Sequence, residues 1–127
     1  MNVKIDTKER FTVIRPKDAF FSANMTVELE NLLLVYLKKE IPHIILNLAE
    51  VSGMENEVAE KIAFLQQEFY EKSASFIVCE MQTSVENIFE KANLLEMMNV
   101  TPTESEAWDI AQMEEIEREL LGDFDDE

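Results

Sequence analysis

Ile44, Ile45, Leu46 and Leu48 form a nearly continuous apolar run of strand length, the pattern of a strand covered on both faces. The period then changes. Val58, Ile62, Leu65 and Phe69 recur at helical spacing, with Glu60, Lys61 and Glu68 on the opposite side. Residues 43–69 therefore read as a buried strand, a short loop and an amphipathic helix over 56–71. The strand-to-helix junction is where this chain is expected to work.

Upstream, Val3 to Asp6 and Phe11 to Arg15 read as short strands separated by the polar Thr7 to Arg10, which predicts an opening hairpin. Pro16 ends the second strand or places it at an edge. Asn24 is the expected N-cap of a helix burying Met25, Leu29, Leu32, Leu33 and Tyr36, which Pro42 terminates. Downstream, Ser75 to Glu80 reads as a strand, and Thr83 to Glu86 has the spacing of a capping box for a helix carrying Val85, Ile88 and Phe89. A further strand is expected over Leu94 to Val100, with Met97 and Met98 leaving its register open. Thr101 or Thr103 can cap a last helix, with Glu104 and Glu106 facing its dipole. Its apolar positions Ala107, Ile110, Ala111, Met113, Ile116 and Leu120 form a drifting stripe, and Gly122 is placed to stop it. Residues 123–127 are too charged to pack and are expected to be a disordered tail after a single domain at 1–122.

Helices alternate with strands from residue 24 onward, which implies right-handed crossovers and parallel neighbours. The predicted class is α/β, a small mixed sheet of four or five strands with helices packed against it. A chain of 127 residues, 46% apolar, suits one such domain and buries roughly two-thirds of its unfolded surface. Apolar runs such as Leu32 to Leu37 are well short of the roughly 18 residues that span a bilayer. Met1 to Arg10 is charged and lacks the apolar centre of a signal peptide. Cys79 is the lone cysteine, so no internal disulfide forms, and a cytoplasmic protein is the expected setting.

The net charge of −16 is unevenly spread: residues 104–127 hold eleven carboxylates against the single Arg118. Nucleic acid and anionic membranes are disfavoured as partners, since both need a basic patch. The acidic segment reads either as a solvated face and tail or as a docking tail for a basic partner.

Enzyme chemistry finds little support. Gly53 and Gly122 are the only glycines, which excludes a glycine-rich phosphate loop and a dinucleotide fingerprint. His43 is the only histidine, no zinc-ligand spacing exists, and a structural role at a strand edge is expected for it. Glu55 and Glu57 could be paired as acid and base, yet close carboxylates are unavoidable among 27 acids. No catalytic residue, metal ligand or cofactor is assigned. Met97, Met98 and Met113 read as core or interface filler. Trp108 and the pair Phe20 and Phe21 are candidates for an exposed apolar patch, with burial as the alternative.

Leu46-Asn47-Leu48 leading to Glu55-Asn56-Glu57-Val58 at a helix start resembles the centre of the STAS domain, the fold of bacterial anti-sigma-factor antagonists and of the cytoplasmic tails of sulfate transporters. Phe11 to Arg15, Phe76 to Cys79, Ser84 to Phe89 with Asn93 to Leu95, and Glu104 to Trp108 extend the resemblance in order over roughly residues 10–112. The family carries Asp-Ser-Ser-Gly where this chain has residues 55–58, so Glu57 stands at the phosphoacceptor-equivalent position. In the family, a kinase that is also an anti-sigma factor phosphorylates that serine and so breaks the partner complex. Glu57 cannot accept phosphate. Against the roughly −1.5 to −2 charges and three oxygens of phosphoserine it would be a partial, permanent imitation. A second departure is the stretch Lys17 to Ser22, which replaces the family's Gly-Glu-Leu-Asp turn with one residue inserted.

The resemblance implies a non-enzymatic regulatory module that docks a protein partner, an anti-sigma factor with a kinase-like fold, through residues 18–24, 52–57 and the next helical turn. Ser22, Asn24, Glu55, Asn56 and Glu57 would form its polar rim. The alternative is a STAS-type subunit of a larger assembly, a lipid-transport or stress complex, in which the serine is not needed. A small-molecule site has little support without glycines to admit a ligand to the backbone. The oligomeric state stays open.

Overall fold

The pleat of the central strands sends successive side chains to opposite faces, and both faces are covered. The computed structural model describes the backbone of residues 1–125 and side chains through Leu121. It contains β1 (Val3–Thr7), β2 (Thr12–Pro16), β3 (Phe20–Phe21), α1 (Thr26–Leu34), β4 (Ile44–Asn47), β5 (Gly53–Met54), α2 (Asn56–Glu71), β6 (Phe76–Cys79), α3 (Thr83–Lys91), β7 (Val100–Thr101) and α4 (Glu104–Asp125). Five strands form the main sheet in the order β1-β2-β4-β6-β7. Only β1 runs antiparallel to its neighbour; the β2-β4, β4-β6 and β6-β7 pairs are parallel. This is the expected small mixed sheet with helices packed on it.

On one face Ile14, Ile44, Leu46, Phe76 and Val78 meet the buried stripes of α1, α2 and α3, including Leu29, Leu33, Val58, Ile62, Leu65, Phe69, Val85 and Phe89. Each fully buried Leu, Ile or Phe here contributes roughly 1.5–3 kcal/mol. On the other face Val13, Ile45, Ile77 and Cys79 meet Ala107 and Ala111 of α4, with Phe11, Trp108 and Ile110 at the margin. Burial pushes the Cys79 thiol up to about 12, with the Glu104 and Glu80 carboxylates adding to the shift. A protonated, enclosed thiol is inert.

Several local expectations differ from the structure. Asn24 does not cap α1; it lies inside a 3-10 turn, Ala23–Met25, whose N-cap is Ser22. The capping box at Thr83 to Glu86 is absent, because α3 starts one residue earlier with Gln82 as N-cap, and the Gln82 carbonyl accepts from the amides of Val85 (3.0 Å) and Glu86 (2.9 Å). The strand expected over Leu94 to Val100 is a 3-10 turn at Leu95–Met97 followed by β7, since the chain must first turn out of α3. Of the two threonines before α4, Thr103 caps: its Oγ1 accepts from the Glu106 amide at 3.3 Å. Gly122 does not stop α4, which continues to Asp125, while Asp126 and Glu127 of the expected disordered tail at 123–127 lie outside the described residues. Phe21 is fully buried, whereas Phe20 is 54% exposed. Trp108 is half-covered, edge-on to Phe11 at 5.2 Å, and its Nε1 donates to Glu104 Oε2 at 3.1 Å.

With few glycines available, other residues take the left-handed positions that end helices. Ser73 (φ 59°) closes α2, with its amide to Tyr70 O (3.0 Å) and that of Ala74 to Phe69 O (2.8 Å). Asn93 (φ 59°) closes α3 in the same way, through Glu90 O (3.0 Å) and, from Leu94, Phe89 O (3.0 Å). These are Schellman caps, where glycine carries no Cβ penalty. Ser73→Gly is expected to raise stability by up to about 1 kcal/mol in urea unfolding, and Asn93→Gly by less, because asparagine enters this region more readily.

His43 is buried at the other end of the sheet, and its Nδ1 accepts the Ser75 amide at 3.0 Å. Its pKa is lowered, first by burial and then by Arg118, against the opposing carboxylates of Glu115 and Glu114. The unfolded chain therefore takes up this proton first as pH falls. The stability contributed by neutral His43 is fully present above about pH 6.5 and is lost as pH drops through the lower native value. His43→Asn, which keeps an acceptor but does not titrate, is expected to show a smaller loss of urea stability between pH 7.5 and pH 5 than the wild type.

Candidate functional site

Parallel strands send the loops that follow them to one end of a sheet, beside the N-termini of the next helices. β2, β4 and β6 do this here. The turn at 22–25, the first turn of α2 and the first turn of α3 therefore gather at the carboxyl end of the sheet.

Two of these loops are joined by a small parallel pair, β3 with β5, in which Phe20 stands opposite Gly53 and Phe21 opposite Met54. The Ala19 carbonyl accepts from the Ser52 amide (2.7 Å) and Ser52 Oγ (3.0 Å), and the Phe21 carbonyl accepts from the Glu55 amide (2.9 Å). Gly53 suits this closeness: a Cβ there would sit 3.1 Å from the Phe20 ring. The third loop is tied on by Gln82 Nε2, which donates to Ala49 O at 2.9 Å, and Ser84 Oγ, which donates to Ser52 O at 2.6 Å. Beneath them the buried Asn47 donates to Glu104 Oε1 and accepts the Ala49 amide, both at 2.9 Å.

All five rim residues expected from sequence lie at this end. Ser22 is half-buried next to Phe21, and its amide donates to Met25 Sδ at 3.4 Å. Asn24 is exposed in the 3-10 turn, against which α2 packs. Glu55 is the N-cap of α2 in extended conformation (φ −76°, ψ 155°), and its carbonyl accepts from the amides of Val58 (3.0 Å) and Ala59 (3.4 Å). Asn56 and Glu57 are exposed in the first turn. Their amides have no helical acceptor, and the helix dipole favours an anion beside them. Phe20 and Val27, 54% and 65% exposed, add apolar surface to the same end.

Sequence reasoning missed Gln82, Ser84 and Glu80. The first two could have been found from the parallel-strand rule, which brings the loop after β6 to the same place. Glu80 adopts φ 59° and caps α4, its Oε2 accepting the Glu104 amide at 2.8 Å. Among the described residues no three of His, Cys, Asp and Glu come together to hold a metal ion, and no helix is long and apolar enough to cross a membrane. The arrangement offers hydrogen-bonding groups, charge and modest apolar area, which suits docking of a macromolecule.

The STAS domain model matches residues 2–107. The chain belongs to the STAS domain family. Solved STAS structures share its fold. A Thermotoga maritima protein assigned as an anti-sigma factor antagonist superposes with a TM-score of 0.77 at 15% identity, covering 87% of this chain and 94% of that one. Bacillus SpoIIAA, an anti-sigma factor antagonist, in its unphosphorylated form gives 0.66 at 18% identity, covering 87% and 96%. A serine-to-glutamate variant of Moorella thermoacetica RsbS gives 0.66 at 12% identity, covering 88% and 96%. No curated protein sequence matches the chain. Within the STAS fold, the β3-β5 contact is the feature that shapes this chain's rim.

Gly53→Ala is expected to cost about 1 kcal/mol by crowding the Phe20 ring. Adding Phe20→Ala should remove that cost, giving a coupling of at least about 0.5 kcal/mol in a urea double-mutant cycle.

Proposed function

We propose that this STAS domain is a non-enzymatic regulatory module that binds a protein partner through the rim of Ser22, Asn24, Glu55, Asn56 and Glu57. The observation that carries this reading is the convergence of all five, from two loops bonded to each other, beside exposed Phe20 and the N-terminus of α2. The similarity of fold to anti-sigma-factor antagonists supports a partner of the anti-sigma class with a kinase-like fold. SpoIIAA has been solved both phosphorylated and unphosphorylated, so one such relative carries a phosphate switch. In this chain Glu57 takes the phosphoacceptor-equivalent position and offers a fixed negative charge in place of a switchable one.

That missing hydroxyl favours a second reading, a structural STAS subunit of a lipid-transport or stress complex. One experiment separates the two. Tagged wild type and Glu57→Ser are used to purify partners from the protein's own cells, with identification by mass spectrometry. The regulatory reading expects a kinase-like anti-sigma factor, bound about tenfold more tightly by Glu57→Ser in a titration with the purified partner. It also expects Asn24→Lys combined with Glu55→Lys to abolish binding. Recovery of the same transport or stress-complex subunits by wild type and Glu57→Ser overturns it in favour of the second reading. Equal affinity of wild type and Glu57→Ser for an anti-sigma factor would remove the phosphate imitation alone.

A further inference from the structure

Helix α4 runs from the rim, where Glu104 meets Asn47 and the Glu80 cap, to the opposite end of the sheet, where Arg118 meets Ser75. Ala107 and Ala111 face the sheet. Met113, Ile116 and Leu120 lie about half a helical turn away, on the side turned from the sheet, and are 56%, 49% and 57% exposed. Their spacing of three and four residues is that of a helix-packing seam. The stripe begins beyond residue 107, where the match to the STAS domain ends, so the family's core does not account for it.

The carboxylates of α4 divide by side. Those turned inward are paired: Glu104 with Arg15 (3.6 Å), Glu115 with Arg10 (3.7 Å) and Glu114 with Arg118 (3.8 Å). Exposed Glu106, Asp109, Glu117 and Glu119, which flank the outer stripe, have no cation within 4.0 Å among the described residues. An apolar seam bordered by unpaired carboxylates complements an apolar seam bordered by lysine or arginine. It also disfavours a second copy of itself, since pairing two such helices would bring like charges together.

We infer that the outer face of α4 is a second docking surface, distinct from the rim, for a basic amphipathic helix of a partner protein. The rim is built from loops and the start of α2 on the three-helix side, whereas this face is the outer side of α4 across the sheet, so the two surfaces can be occupied together.

The test titrates a leucine-lysine amphipathic peptide of about twenty residues, long enough to hold a helix on contact, into nitrogen-15-labelled protein followed by NMR. Saturable shifts confined to residues 106–121, leaving Asn24 and Asn56 unmoved, are expected. Ile116→Asp, and separately Leu120→Asp, should weaken binding about tenfold with an unchanged melting temperature. A leucine-glutamate peptide should not bind. The inference is overturned by absence of saturation, by equal affinity of the Asp variants, which would show charge attraction alone, or by shifts centred on the rim. Sedimentation of the unliganded protein as a dimer that Ile116→Asp dissociates would overturn it in favour of a second copy.

Discussion

Strand β4 has no face exposed to solvent, and the placement of every other part is referred to it. Ile44 and Leu46 sit against the layer of three helices and Ile45 against α4, while β2 and β6 pair with its two edges. Because both neighbours run parallel to it, their loops emerge where its own does. The strand ends in a fully buried Asn47, a position that would be costly without partners. Its amide joins the start of α4 to the loop after β4, so one polar side chain links the rim to the helix on the far face.

The rim itself is built from short backbone contacts. β3 and β5 are two residues each and hold together because Phe21 and Met54 are buried beneath them while Gly53 lets the Phe20 ring lie across. The shape of the rim rests on this backbone pairing and on the ties from Gln82 and Ser84. This arrangement leaves the side chains of Asn24, Asn56 and Glu57 exposed at its surface.

What could be read from sequence follows from which signals are periodic. The apolar run at β4 and the stripe Val58, Ile62, Leu65 and Phe69 were unambiguous because each is buried on the face its period defines. Leu94, Leu95, Met97 and Met98 imitate a strand by composition, yet they form a turn once Asn93 has reversed the chain, with Leu94, Leu95 and Met98 against the core and Met97 exposed. The drifting stripe of α4 is two stripes, Ala107, Ile110 and Ala111 toward the sheet and Met113, Ile116 and Leu120 outward, a distinction that hydrophobicity alone does not make. The convergence of five polar residues was readable from topology and family resemblance together. The β3-β5 contact and the ties from Gln82 and Ser84 were not, since they bond to backbone carbonyls that no side-chain pattern reveals.

The two faces of the sheet differ in the redundancy of their cover. Three helices share one, so loosening any of them leaves the others in place. The second depends on α4 alone, held through two alanines, the partly buried Trp108 and Ile110, and ion pairs at its start and middle. Release of that helix is thus a single event that would bare Val13, Ile45, Ile77 and Cys79 at once, a sub-global opening within an otherwise folded domain. The lone thiol, silent while α4 is seated, is a built-in gauge of how often that happens.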